Sequence, residues 1–413
     1  MAQYKFEGDF KVLNERQVEF INKVVTEQNL KAKRVIFEAV GQAGDNFIGT
    51  IKRIVIEGEN GSMKLIAKVA ASNEMARFQT NTEILFRNEH ILYTELLPKL
   101  VQLQEAAGVP EEERLRYAKC YGSFTEAPNE IIILEDLNES DFTMLNKFES
   151  LSDECVRNVL KGFAVFHSLS HVLKKQEPEK YDEIKEKLTD VWNISFSRPE
   201  MEMHGKLMET ETLAILDDVH KPLVENKLSE TFKNRAKIFE NDDQRYTVIQ
   251  QGDAWTNNIM FKLGKDSIQS IMIDYQFSTN GNAMLDFLYM IFNCTDHETR
   301  VKHYLDWVDY YYSELDKSLS NFGLKASSIY PKDQMDADIK KCAKYMFYHC
   351  ILFAHILMRD SSEANEVLEA MKNVNLEEAM DSFKAGNLQS ATVKRIKTKI
   401  ENVIASYELF GLF

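Results

Sequence analysis

The sequence predicts an α+β protein of two lobes, a β-rich first third followed by a mainly helical remainder. Three observations carry this. Strand-like runs and turn signals crowd residues 1–136, with few helical patterns among them. Long amphipathic patterns dominate after Asp136. A single β island at 246–274 interrupts the helices. The predicted division is therefore 1–136 and 137–413.

Each element has its own signal. Residues 14–28 read as a helix, because Val18, Ile21 and Val25 share a face and Asn14 with Gln17 resembles a capping box. Two β-rich runs, 34–40 and 47–57, flank GQAGDN, which signals a hairpin. GENGS (58–62) is a second turn, and MKLIAKVA (63–70) is a third strand. A helix is expected over 81–97, then strands at 117–124 and 130–134 around TEAPN. Helix 151–174 carries Val156, Val159, Leu160, Phe163 and Phe166 on one face. The most apolar run, 342–358, is broken by Lys344, His349 and His355 and is short for a membrane span, so it reads as a buried helix.

Composition narrows the function classes. The net charge of -15 over 413 residues disfavours nucleic acid and anionic membranes as partners. Five cysteines, an odd number without CxxC, argue against a disulfide scaffold or zinc site and for a reducing, cytoplasmic setting. The start lacks the apolar core of a signal peptide.

The chemistry concentrates in VIQQGDAWTNNIMF (248–261) and SIMIDYQ (270–276). Asp253 and Asn258 fall in a loop between two apolar runs, and Asp274 ends the next one. A hairpin of that size brings Asn258 and Asp274 together, with Asp253 nearby. One carboxylate and one amide suit a hard cation that also binds phosphate oxygens, leaving the other carboxylate to deprotonate a hydroxyl. Alone, such a loop reads better as a capped turn. Independent support comes from Lys68, a lone cation in LIAKV, and from Glu89, whose neighbours Phe86 and Tyr93 put it on the apolar side of its helix. A strand lysine paired to a helix glutamate is how kinases fix the lysine on nucleotide phosphates. The alternative is an edge-strand lysine that snorkels. Phe166-His167-Ser168 and the run 306–314 read as packing faces ahead of a metal site or a cationic pocket.

The order GDNF, AKV, FRNEHILY, LLP, ILEDL, FAVFHSLS, QGDAWTNNIMF, IDYQ, LDFLYMIF resembles the insect ecdysteroid kinase-like family, from about residue 35 to about residue 315. That family sits in the choline kinase and aminoglycoside phosphotransferase group of protein-kinase-like folds. The resemblance implies ATP and magnesium as cofactors and a small-molecule alcohol as substrate. It implies Asp253 as catalytic base and Asn258 and Asp274 as metal ligands. Lys68 contacts the phosphates, with Glu89 as partner, and Gly44, Asp45 and Asn46 form the phosphate loop. Glu135, Asp136 and Leu137 form the hinge that binds adenine, Gln276 lies beside the metal, and Asp286 braces the catalytic loop. One position departs from the family pattern: Gln251 stands where histidine is usual, which leaves a non-catalytic pseudokinase as the alternative. Gly49 also stands where serine is frequent.

Overall fold

The computed structural model describes residues 4–41, 49–265, 267–372 and 381–413. A six-stranded sheet forms the first lobe: β1 (Lys5–Gly8), β2 (Ala32–Ala39), β3 (Thr50–Gly58), β4 (Gly61–Val69), β5 (Cys120–Phe124) and β6 (Ile131–Glu135), in the order β1-β2-β3-β4-β6-β5. Only the β1–β2 pairing in this sheet is parallel. Side chains alternate across the sheet, so Leu65, Ala67 and Val69 of β4 join Ile54, Ile56, Ile131 and Ile133 in one core. Helix α1 (Glu15–Glu27) covers that face with Ile21, Val24 and Val25. Its Asn14–Gln17 capping box is complete, with reciprocal bonds of 3.0 Å.

The opposite face of β4 carries Ile66 and Lys68, which line the interlobe cleft. Lys68 pairs with Ile51 of β3 and Ile132 of β6, so it stands on an interior strand. The edge-strand alternative is thereby overturned.

The helix expected over 81–97 is a series of segments. Helix α2 (Glu74–Thr80) precedes a left-handed Asn81 (φ 55°), a conformation asparagine tolerates better than most residues. After it come α3 (Thr82–Ile91), a π-helical stretch Leu92–Leu96 and α4 (Leu97–Ala106). Pro98 lies in the first turn of α4 and has no N–H to give the preceding turn, which accounts for the irregular pitch there.

In the second lobe, β7 (Thr143–Met144), β9 (Ile259–Leu263) and β10 (Ile268–Met272) form one small sheet in the order β10-β9-β7. Strand β8 (Thr247–Ile249) pairs antiparallel with β11 (Asn280–Asn282) in another. Helix α5 (Asp153–Gln176) runs beside them, its apolar face buried. Every residue of the helix Ala283–Cys294 is buried, between α5 and the long helix Lys332–Leu357. An element apolar on all sides belongs in such a place. The apolar run 342–358 lies almost wholly in that long helix, and no helix among the described residues is long and apolar enough to cross a membrane.

Candidate active site

The loop 250–258 is held from three sides. Asp286, at the start of its helix, accepts Gln251 N (2.7 Å) and Gly252 N (2.9 Å) and contacts His167 Nε2 (3.2 Å). His167 in turn contacts Tyr311 OH at 2.9 Å, so it is a packing and bracing residue. Gly252 has φ +87°, and a Cβ there would lie 2.4 Å from Phe277 O. No other residue fits this turn without moving backbone. The Gln251 side chain donates to Ile273 O (2.9 Å) and Asp274 O (3.0 Å) and accepts from Asp253 N (2.6 Å). It therefore ties the two loops that carry the acidic residues.

Asp253 is 8% exposed. Tyr289 OH donates to its Oδ1 at 2.7 Å, and Asn258 Nδ2 donates to its Oδ2 at 2.9 Å. Burial raises the Asp253 carboxyl well above the ordinary range, while these two donors pull it back. Tyr289 was not singled out from the sequence. Its signal was its position one helical turn after Asp286, which sends both side chains to the same loop.

Asn258 and Asp274 flank the paired ends of β9 and β10: Ile259 opposes Met272, and Ile273 N donates to Asn258 O at 2.9 Å. Asp274 holds a left-handed backbone (φ 59°). Its Oδ1 accepts from Lys68 Nζ at 2.6 Å, and Glu89 Oε2 accepts from the same ammonium at 2.6 Å. Gln276 joins them, its Oε1 3.1 Å from Lys68 Nζ and its Nε2 3.3 Å from Asp274 Oδ2. Asn88 fixes the helix bearing Glu89 by donating to Thr189 O (2.8 Å) and Gln276 O (3.2 Å).

One ammonium thus faces two carboxylates. Burial alone would lower Lys68, but Asp274 and Glu89 outweigh it and raise it, so Lys68 stays charged. Glu89 is pushed up to about 7 by burial, against the opposing pull of Lys68. With Asp253 close by, the cluster is short of positive charge.

The cleft above these groups has a volume of about 310 Å³, within the range of small-molecule sites. Its walls are apolar at Ile51, Ile66, Met260 and Ile273, and polar at the end holding Lys68 and Asp274. Glu135, Asp136 and Leu137 line it where the chain passes from β6 into a short 3-10 turn, Leu137–Ser140. Asp136 accepts from Arg53 Nε at 2.5 Å and from Asn138 N at 3.2 Å, which rigidifies that passage. Gly44, Asp45 and Asn46 lie outside the described residues.

Among solved structures, the chain is similar to the GDP complex of wild-type aminoglycoside 2'-phosphotransferase-IIIa, at 12% identity and a TM-score of 0.40, covering 91% of this chain and 100% of that one. It is similar to a Plasmodium vivax ethanolamine kinase at 12% identity and TM-score 0.41, covering 98% and 86%. A microcompartment-associated aminopropanol kinase gives 11%, 0.43, 90% and 99%. No curated protein matches by sequence. The architecture is the α+β arrangement expected from the sequence, a sheet-bearing first lobe and a mainly helical second one. The model of the ecdysteroid kinase-like family matches residues 43–324, more than half of the chain, and the protein belongs to that family.

Proposed function

We propose that the protein is an ATP- and magnesium-dependent kinase that phosphorylates a hydroxyl group of a small, predominantly apolar molecule such as an ecdysteroid. Residues 1–136 act as the nucleotide-binding lobe and 137–413 as the catalytic and substrate-binding lobe. The observation that carries this reading is the Lys68 ammonium, shared at 2.6 Å between Glu89 of α3 and Asp274 of the other lobe.

The donor set suits magnesium. The Asn258 amide nitrogen is committed to Asp253, which leaves its carbonyl oxygen for a hard cation beside the Asp274 carboxylate. The deficit of positive charge in the cluster points the same way. Magnesium held by these two residues would supply charge that offsets the nucleotide phosphates. Lys68, released from Asp274, adds its own charge while Glu89 keeps it in place. These local charges matter more in a chain of net charge -15, whose field repels a nucleotide. The apolar walls, with the backbone of Glu135 and Leu137, would hold the adenine.

Asp253 accepts the proton of the acceptor alcohol as its oxygen bonds to the γ-phosphorus. The bond from that phosphorus to the bridging oxygen breaks, and ADP leaves. Beside the base stand aromatic groups. The Trp192 indole donates to Gly252 O at 3.3 Å and stacks on Phe277 at 4.3 Å. His349, against Tyr289, is pushed down to about 3 by burial and is neutral. These surroundings favour an uncharged, apolar acceptor over an amino alcohol.

Gln251 favours a second reading, a pseudokinase that binds ligand without turnover. The three bonds of its side chain support a working loop instead. Magnesium-dependent ADP release with a panel of neutral and cationic alcohols separates the two: a kinase releases ADP with at least one neutral alcohol, and a pseudokinase with none.

A further inference from the structure

The helical lobe carries a second cavity, of about 380 Å³, against the catalytic loop. It is bounded by residues 147–150, the end of the helix Ala283–Cys294 and the helix Ser390–Phe410. Lys147 Nζ lies 5.9 Å from the Trp255 ring, and Cys294 Sγ lies 3.8 Å from Ala254 O, so the cavity adjoins the segment that bears Asp253.

Lys147, Lys394, Arg395 and Lys399 all line it, a concentration of cations in a chain of strongly negative charge. Lys399 Nζ donates to the backbone oxygens of Asn293 (2.8 Å) and Thr295 (3.4 Å). Arg395 donates to Met358 O (2.9 Å) and to the Thr392 hydroxyl. These acceptors are neutral. Among the described residues, Lys394, Arg395 and Lys399 form no ion pair with a carboxylate, and N–H donors on them remain unspent. Burial, with the charge of Arg300, pushes the Lys399 ammonium down to about 8. Asn293, only 4% exposed, also lines the cavity, and its amide oxygen has no hydrogen-bond partner. The amide N–H groups face the Cys350 sulfur, a weak acceptor. The two acidic residues of the lining make their hydrogen bonds elsewhere, Asp296 to Thr299 N (2.8 Å) and Glu149 to Asn146 Nδ2 (2.8 Å), while the Asp296 carboxylate also feels the charge of Lys399. Phe148, Met358 and Ala391 supply apolar wall.

We propose that this cavity binds a phosphate monoester with an apolar body, through Lys394, Arg395 and Lys399. A dianion matches several cations that make no direct ion pair better than a carboxylate does, and the guanidinium fork suits phosphate oxygens. The apolar wall calls for more than inorganic phosphate. A phosphorylated apolar alcohol is also the product class of the proposed function, but the site stands on its own residues and requires no turnover.

The test is calorimetric titration of phenyl phosphate, and separately of inorganic phosphate, into the full chain with saturating ADP and magnesium to close the cleft. Phenyl phosphate binds more tightly than inorganic phosphate. Lys394→Glu, an exposed position that the fold tolerates, weakens its binding by about tenfold or more. Lys399→Met acts in the same direction, and a further rise of about tenfold in ADP and magnesium leaves binding unchanged. No binding of phenyl phosphate, or binding that survives Lys394→Glu, overturns the proposal. Equal affinity for inorganic phosphate overturns its apolar part. Displacement of phenyl phosphate by added ADP and magnesium places the ligand in the nucleotide cleft and overturns it too.

Discussion

The Tyr289→Phe substitution removes one hydroxyl and little else. The ring keeps its edge contacts with His349 (5.2 Å) and Phe353 (5.9 Å). What disappears is the 2.7 Å bond to Asp253 Oδ1. A hydrogen bond to a charged group contributes about 1.5–3 kcal/mol. At about 1.4 kcal/mol per pKa unit, that corresponds to roughly one to two units. The sign follows from the groups around Asp253. Burial raises its carboxyl, and Tyr289 is the larger of the two hydrogen-bonding influences that lower it. Without the hydroxyl the raised value climbs further, so the base is protonated over more of the acid range. The acid limb of the pH–rate profile should therefore move up by about one to two pH units, with turnover near its plateau at alkaline pH largely retained. The assay is magnesium-dependent ADP release from about pH 5 to pH 9. An acid limb that stays in place, or moves down, refutes the assignment of Asp253 as a base held ionised by Tyr289.

Four further predictions concern the same cluster. Lys68→Met should abolish turnover and destabilise the fold by about 3–5 kcal/mol at pH 8, since it strands buried carboxylates. Glu89, already raised to about 7, rises further without the lysine; a raised carboxyl favours the folded state at acid pH, so denaturant melts should show a smaller loss at pH 5 than at pH 8. Gly252→Ala should cut turnover by more than about tenfold, because its Cβ meets Phe277 O and displaces the loop; unchanged kinetics would mean the turn is adaptable. Gln251→Ala should lower kcat by about tenfold or more, while Gln251→His retains most of the rate; the reverse order in steady-state assays would contradict the bracing role. Asp274→Ala should weaken binding of ATP in the presence of magnesium but not in its absence, as read by calorimetry, and equal effects would put the metal elsewhere.

The parts of this molecule that sequence made legible are those where one local rule decides. The capping box of Asn14 and Gln17 needs only four residues to form, and it forms. A lysine within an apolar strand demands a partner, and Glu89 lay on the apolar side of the next helix. Loop residues between two apolar strands came close because β9 and β10 pair in simple register. The illegible parts depend on tertiary contact. Strand β7 has two residues and so no period to detect, yet it joins β9 below the cleft. Strand β11 reads Asn-Gly-Asn, a turn by composition, and is a strand because β8 offers it backbone partners. The hydrophobic pattern shows no helix over Glu74–Thr80 and predicts a regular one after it, since neither the left-handed Asn81 nor the π-helical stretch at Leu92–Leu96 leaves a mark in that pattern. The bond from Tyr289 to Asp253 joins two segments 36 residues apart, and apolar neighbours on a buried helix concealed it.

Phosphoryl transfer itself is the decisive observation. The full chain is incubated with ATP, magnesium and a panel of neutral polycyclic alcohols, and each acceptor is weighed by mass spectrometry. At least one should gain a single phosphoryl group with the native chain and none with Asp253→Asn, while both proteins bind ATP with the same affinity. Phosphorylated acceptor from Asp253→Asn at the native rate, or ATP bound by the native chain with no acceptor modified, contradicts the account.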